Sequence, residues 1–348
     1  MKSFFTAVSV VFSVGLLIPG CGDDSAPHLP LREVKNPVNS IAFDEQGNTW
    51  IGNENGLFRV HSKTLLKMET GFPDAAIYCL AYEDRMLVAA SSQGVLSFDI
   101  DAADQLILHE TLDSSNSLLP VNKVYSYATD HLHRRWFGTG KGIVMQEGST
   151  WKKNKEISLN LVVVSGVPVT NLAFRPNDLH MATSGKNVVH VLFNRETDAV
   201  SGASQLLGGQ DNPGYNYNGD LTTDTIFCVY ASRDSSIWFG SEKGLTRNKG
   251  ANNVALSTAF FEYFLQGERV HAILEDSYGN IWAGTEDGLF VQENESWHQY
   301  THADGLPDGY IIALAEQTNG HIWVQTKKGV AVIEGSLITS IGEFVQDL

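Results

Sequence analysis

Apolar and polar residues alternate in short runs along nearly the whole chain, and no long stretch keeps a helical period. The runs 38–43, 77–82, 121–127, 169–174, 226–231, 270–275 and 311–316 each predict a strand. A turn follows each run, as in Asp44-Glu45-Gln46-Gly47-Asn48 and Asp276-Ser277-Tyr278-Gly279-Asn280, where Gly and Asn supply the positive φ of a hairpin. Then comes a ten-residue window that recurs along the chain. It reads NTWIGNENGL at 48–57, RRWFGTGKGI at 134–143, SIWFGSEKGL at 236–245, NIWAGTEDGL at 280–289 and HIWVQTKKGV at 321–330. Two weaker copies, MLVAASSQGV at 86–95 and LHMATSGKNV at 179–188, fill the gaps, and the second places Met181 in the Trp column.

The window starts are about 46 residues apart on average, within the span of a propeller blade. A third strand follows the window's second glycine, and a fourth shows at Ser149-Thr150-Trp151 and Ser296-Trp297-His298. Four short antiparallel strands repeated seven times predict an all-β, seven-bladed β-propeller of four-stranded antiparallel blades. Blades of this kind bury their faces against each other around an axis. Trp50, Trp136, Trp238, Trp282 and Trp323 therefore read as filler between blades, and the glycines as backbone choices rather than phosphate cradles. Closure of the ring is open at this stage: 31–35 could supply the last strand, or 336–344 could complete blade seven from its own side.

The windows resemble the two-component regulator propeller repeat, roughly Asp-x-x-Gly-x-Ile-Trp-x-Gly-Thr-x-x-Gly-Leu. The stretch from Asp276 follows it almost position for position, and Asp304-Gly305-Leu306-Pro307 resembles its linker. In the best-known members of that family two such propellers form the periplasmic sensor of a hybrid histidine kinase, often for oligosaccharides. Here the sequence holds one propeller and neither a following transmembrane helix nor a kinase domain, so the resemblance implies only a ligand-binding module.

The first residues change the picture. One cation, Lys2, precedes an apolar run over 4–18 and then Pro19-Gly20-Cys21, the pattern of a signal peptide. Ile18 and Gly20 match a bacterial lipobox, Pro19 departs from it, and the resemblance implies cleavage before Cys21 and a lipid on its sulfur. An ordinary secretory signal with an incidental cysteine is the alternative. The expected layout is a signal peptide at 1–20, a lipidated tether at 21–30 and the propeller at 31–348. Gly22 stands where an Asp would retain some lipoproteins in the inner membrane, which points to the outer membrane. The remaining cysteines, Cys79 and Cys228, lie in apolar strands and read as core rather than as a disulfide framework.

Charge excludes some partners. With 24 basic against 40 acidic residues the formal net charge is −16, which opposes nucleic acid and anionic lipid. The expected partners are an oligosaccharide or a protein, with membrane contact through the lipid alone and a monomeric chain. Loops between strands two and three share a face with the links between blades, and carry Asn53, Glu54, Asn55, Ser91, Gln93, Lys141, Lys186, Glu242, Lys243, Glu286, Asp287, Lys327 and Lys328. The excess length at 194–224 holds Asp211, Tyr215, Asn216, Tyr217 and Asn218, where Tyr faces and amides suit a sugar ring. These are the candidate ligand contacts. A calcium site from Asp211, Asn216, Asn218 and Asp220 fits no derivable loop spacing. His131 and His133 fall in a turn of blade three. There is no Gly-x-Ser-x-Gly, His-Glu-x-x-His or Cys-x-x-Cys, so no catalytic constellation, metal or cofactor is implied. A binding module is the leading reading. A lyase or hydrolase on a polysaccharide or small molecule, and a protein-binding scaffold, stay as alternatives.

Overall fold

A single carboxylate organises the inner hairpin of a blade. Asp44 Oδ1 accepts hydrogen bonds from the Gln46 and Asn48 amides at 3.0 and 2.8 Å. Its other oxygen accepts from Asn48 Nδ2 at 2.8 Å and from the Trp50 indole N–H at 2.9 Å. The Asp of the repeat therefore fixes both the turn and the Trp six residues on. Asp130 holds Trp136 at 2.8 Å and Asp276 holds Trp282 at 2.8 Å in the same way, and Gln317 substitutes for it at Trp323. In blade three, His133 takes the left-handed position (φ 58°) that Gly47 and Gly279 hold in blades one and six.

In the computed structural model the seven windows become seven four-stranded sheets. It describes residues 38–340 apart from 55, 62–63, 71, 73–74, 154–163, 165, 176–177, 184–187, 194–199, 207–224 and 250–260. The strands are numbered β1 to β28 in chain order, four to a blade. The inner strands are β1 (Val38–Phe43), β5 (Ile77–Glu83), β9 (Val124–Thr129), β13 (Val169–Arg175), β17 (Ile226–Ala231), β21 (Val270–Glu275) and β25 (Ile311–Glu316). Each meets the next, and β25 meets β1, so they ring a central axis. The third of them starts at Val124, three residues later than the run 121–127 predicts.

Five Trp side chains fill the seams between blades, and Trp50, Trp136 and Trp238 are almost wholly buried. Trp136 packs on blade four, and Trp323 of blade seven packs on Ile41, Phe43 and Ile51 of blade one. Blade seven is completed by its own fourth strand, β28 (Leu337–Ser340), and the ring closes through that Trp323 seam.

The Trp-x-Gly spacing has a steric reason. A Cβ on Gly240 would lie 2.5 Å from Cys228 Sγ and 2.7 Å from the Val270 carbonyl oxygen of the next blade. Gly240→Ala is therefore expected to lower stability by about 1–3 kcal/mol, the usual cost of forced overpacking. Urea denaturation checks it, and an unchanged midpoint would remove the steric reading.

The two blades without Trp share a cause. In Trp-bearing blades the inner-strand partner stands eight residues before the Trp, as in Ala42↔Trp50 and Tyr230↔Trp238. In blades two and four the same pairing spans seven, Ala81↔Val88 and Ala173↔His180. Their hairpins are one residue shorter, with Asp84 and Arg85 both at positive φ in blade two, as a two-residue turn requires. The longer turn that carries the Asp acceptor is gone, and the Trp with it. This corrects the window at 179–188: the blade-four copy begins at Asp178, and His180, not Met181, occupies the Trp column.

Candidate functional site

Each inner strand begins with an irregularity. The register slips between Ile77 and Cys79, between Val124 and Ser126, and at the matching places in the other blades. One residue per blade is left out of the ladder: Asn39, Tyr78, Tyr125, Thr170, Phe227, His271 and Ile312. Bulges re-aim side chains at the rims of closed structures. These start where the inner strand pairs with the end of strand two, on the face that bears the strand two-to-three loops. They ring the mouth of the channel.

Four of the seven are aromatic or imidazole. Tyr78 and Tyr125 of blades two and three lie with ring centroids 5.1 Å apart. Lys123 Nζ stands 5.6 and 5.2 Å from those two centroids. On the other side, Phe227 and His271 are 4.4 Å apart, and Tyr310 stacks on His271 at 5.0 Å. Arg269 lies over Phe227, and Lys327 Nζ is 3.4 Å from the Tyr310 centroid. Glu286 faces both Arg269 Nε at 3.4 Å and His271 Nε2 at 3.2 Å.

Local hydrogen bonds make this rim stiff. In five of the seven blades the Ser or Thr at the start of the loop bonds the carbonyl at its far end: Ser91 to Gly94, Thr139 to Gly142, Ser241 to Gly244, Thr285 to Gly288 and Thr326 to Gly329, all at 2.8–2.9 Å. Backbone bonds then tie loop to rim, as Gly140 N to Lys123 O and Lys327 N to Tyr310 O. A preset rim loses little entropy when something binds.

Burial lowers the His271 pKa despite its hydrogen bond to Glu286, so the ring is neutral near pH 7. A neutral imidazole facing a carboxylate donates from Nε2, which leaves Nδ1 as an acceptor. Burial raises the Tyr310 hydroxyl above its ordinary range. Asp308 is pushed up by burial, but Lys328, at 2.9 Å, and the Tyr310 amide more than offset this and hold it below the usual range.

Of the loop residues picked from sequence, Glu286 and Lys327 reach the rings at the mouth, and Lys328 is engaged by Asp308. Cys21, Asn55, Lys186, Asp211, Tyr215, Asn216, Tyr217, Asn218 and Asp220 lie outside the described residues. The bulge residues were missed by sequence reading. Their only signal is the one variable position in an apolar-x-small start, as in Ile77-Tyr78-Cys79 and Ile226-Phe227-Cys228.

A second cluster lies inside blade four. Asp178, His180 and His190 bring one donor atom each within 4.8 Å of one another. Arg175 forks onto both Asp178 oxygens, with Nε at 2.8 and 3.1 Å. The two imidazoles stack at 4.3 Å with planes 20° apart. A cation already on the carboxylate does not suit a metal ion. The cluster packs against Phe239 of blade five, where other blades put Trp.

A closed ring of seven four-stranded antiparallel blades defines a seven-bladed β-propeller. The repeat family described as Two component regulator propeller matches residues 33–55 and 265–287. No curated protein matches it. The extracellular domain of the putative hybrid two component system BT3049 from B. thetaiotaomicron is similar, with a TM-score of 0.66 and 19% identity over 86% of this chain and 39% of that one. PorZ, an essential surface component of the type-IX secretion system of Porphyromonas gingivalis, gives a TM-score of 0.55 and 17% identity over 84% and 42%. The chain thus spans about two fifths of those two. A catalytically inactive His-to-Ala variant of virginiamycin B lyase from Staphylococcus aureus, with quinupristin, gives 0.57 and 12% over 87% and 97%. Identities this low carry the fold alone.

Proposed function

We propose that this chain is an exported binding module, held in the cell envelope by a lipid on Cys21, that takes an oligosaccharide at the mouth of its channel. The observation that carries this reading is the convergence of Tyr78, Tyr125, Phe227 and His271 at the bulge positions, with Tyr310 beside them. Flat faces with interspersed donors and acceptors suit sugar rings, and neither a polar core nor a sheet contact needs them there. Tyr215 and Tyr217, which fall between β16 (Val200–Leu206) and β17 in the sequence, are proposed as further contacts on their chemistry alone.

The test is titration calorimetry of the purified protein against a panel of oligosaccharides. Tyr78→Ala with Tyr125→Ala is expected to weaken binding by about 2 kcal/mol, roughly 30-fold in Kd, with little change in melting temperature. Binding unaffected by this pair would remove the mouth as the site. The alternative reading, a lyase or hydrolase, is favoured by the His271–Glu286 pair, whose Nδ1 is free to accept a proton. New reducing ends or unsaturated products in the same mixtures, lost in His271→Ala, would replace binding by catalysis.

A further inference from the structure

The chain has a large excess of acid, 40 residues against 24 basic ones. Yet the side chains that stand over the rings at the mouth are cations. Several lysines and arginines find carboxylates, as Lys249 with Glu262, Lys152 with Glu147 and Arg59 with Asp104. The two lysines beside the rings at the mouth do not. Among the described residues, Lys123 and Lys327 meet no carboxylate within 4.0 Å; Lys327 stands over the Tyr310 ring, and Lys123 lies beside the Tyr78 and Tyr125 rings and their hydroxyls. Lys328, one residue on, is already neutralised by Asp308. The Tyr125 hydroxyl first, then Tyr78, holds the Lys123 ammonium above its ordinary pKa, so it stays charged.

The two lysines belong to blades three and seven, on opposite sides of a seven-membered ring. Each sits beside its own pair of rings: Tyr78 and Tyr125, and Tyr310 and His271. An ammonium without a counter-ion above an aromatic face is a socket for an anionic group carried on a ring that stacks there. Two such sockets across one mouth fit a chain with acidic groups on separate units.

We propose that the mouth takes an acidic oligosaccharide, a run of uronate or sulfated sugar units laid across the channel with one anionic group at Lys123 and another at Lys327. This rests on the mouth being the ligand site. The alternative occupant, a neutral saccharide, would leave both ammonium groups unused.

Two acidic probes, tetragalacturonate and a chondroitin sulfate hexasaccharide, are titrated into the protein, each beside its uncharged counterpart. The counterparts are the fully methyl-esterified tetragalacturonate and the desulfated, carboxyl-reduced hexasaccharide. Maltohexaose and cellohexaose represent plain neutral chains. One acidic probe is expected to bind at least ~10-fold more tightly than its counterpart, the scale of one hydrogen bond to a charged group. Lys123→Met and Lys327→Met, which keep the apolar stem, are each expected to remove ~10-fold and to flatten the salt dependence of Kd. Their melting temperatures should stay within a degree or two, since both side chains are at the surface. Equal binding of charged and uncharged forms, or of maltohexaose or cellohexaose alone, overturns the acidic class and leaves the mouth as a saccharide site. Acidic binding that neither lysine variant weakens overturns the two sockets. No binding by any of the six overturns both this proposal and the oligosaccharide reading beneath it.

Discussion

Trp136→Ala is expected to cost about 3–5 kcal/mol, the range for emptying a large aromatic from a core. Trp136 is 1% exposed and lies in the seam between blades three and four, among Leu172, Phe174, Leu179 and Met181. Its ring meets Phe174 at 5.5 Å and Phe193 at 5.9 Å. The loss has two parts. One is the cavity between two blades that cannot move together without breaking the ring. The other is the indole N–H bond to Asp130 at 2.8 Å, a bond to a buried carboxylate. Trp136→Phe separates them, since it keeps most of the ring and removes the bond. It is expected to cost less than half as much. Trp238 makes the comparison sharper, because Ser232 replaces the turn Asp and its indole N–H has no partner. Trp238→Phe should therefore be milder than Trp136→Phe. Chemical denaturation of the three variants checks the ordering, and a loss below about 1 kcal/mol for Trp136→Ala would contradict the seam argument.

Acid is expected to unfold this protein through blade four. Burial, joined by the neighbouring His190 and Arg175, holds the His180 pKa well below its ordinary value despite Asp178. Both ring nitrogens are buried without a hydrogen bond, Nδ1 lying 3.7 Å from Asp178 Oδ1. The folded protein therefore keeps His180 neutral, while the unfolded chain takes up a proton below the ordinary pKa of about 6.5. The unfolded state binds more protons in that range, so stability is present above pH 6.5 and is lost as pH falls. One proton corresponds to about 1.4 kcal/mol per pH unit, hence about 2 kcal/mol between pH 6.5 and 5. Asp178 acts in the same sense at lower pH. Burial pushes its carboxyl up, but the His190 ring and the Arg175 fork outweigh this and hold it far below its usual range. That contribution is present above about pH 3.9 and fades below it. His180→Phe keeps a flat ring against Phe239 and removes both orphaned nitrogens. Its melting temperature should fall less steeply between pH 7.5 and 5 than that of the unaltered protein, with no loss at pH 8. An identical slope in the two proteins would place the acid sensitivity elsewhere.

The mouth and blade four show how differently the two kinds of position can be read. Trp50, Trp282 and their turn residues are bound to each other within six residues, so the pattern that places them is local. Tyr78, Tyr125, Phe227 and His271 are some 45 to 100 residues apart from one to the next, and each looks like an ordinary strand residue in its own run. Only the bulge turns them out of the ladder, and nothing in a two-residue alternation announces a bulge. His180 was hidden by a count: a hairpin one residue shorter moved the whole second strand of blade four by one place.

The sequence by itself determined the class of fold, the number of blades, the Trp-filled seams and the face on which the loops gather. These follow from strand alternation, turn residues and a repeat, all of which act over short stretches of chain. The tertiary structure decided how blade seven is completed, what replaces Trp in blade four, and which side chains meet at the mouth. Those depend on register and on ring closure, which bring together residues that share no local interaction until all seven blades stand around one axis.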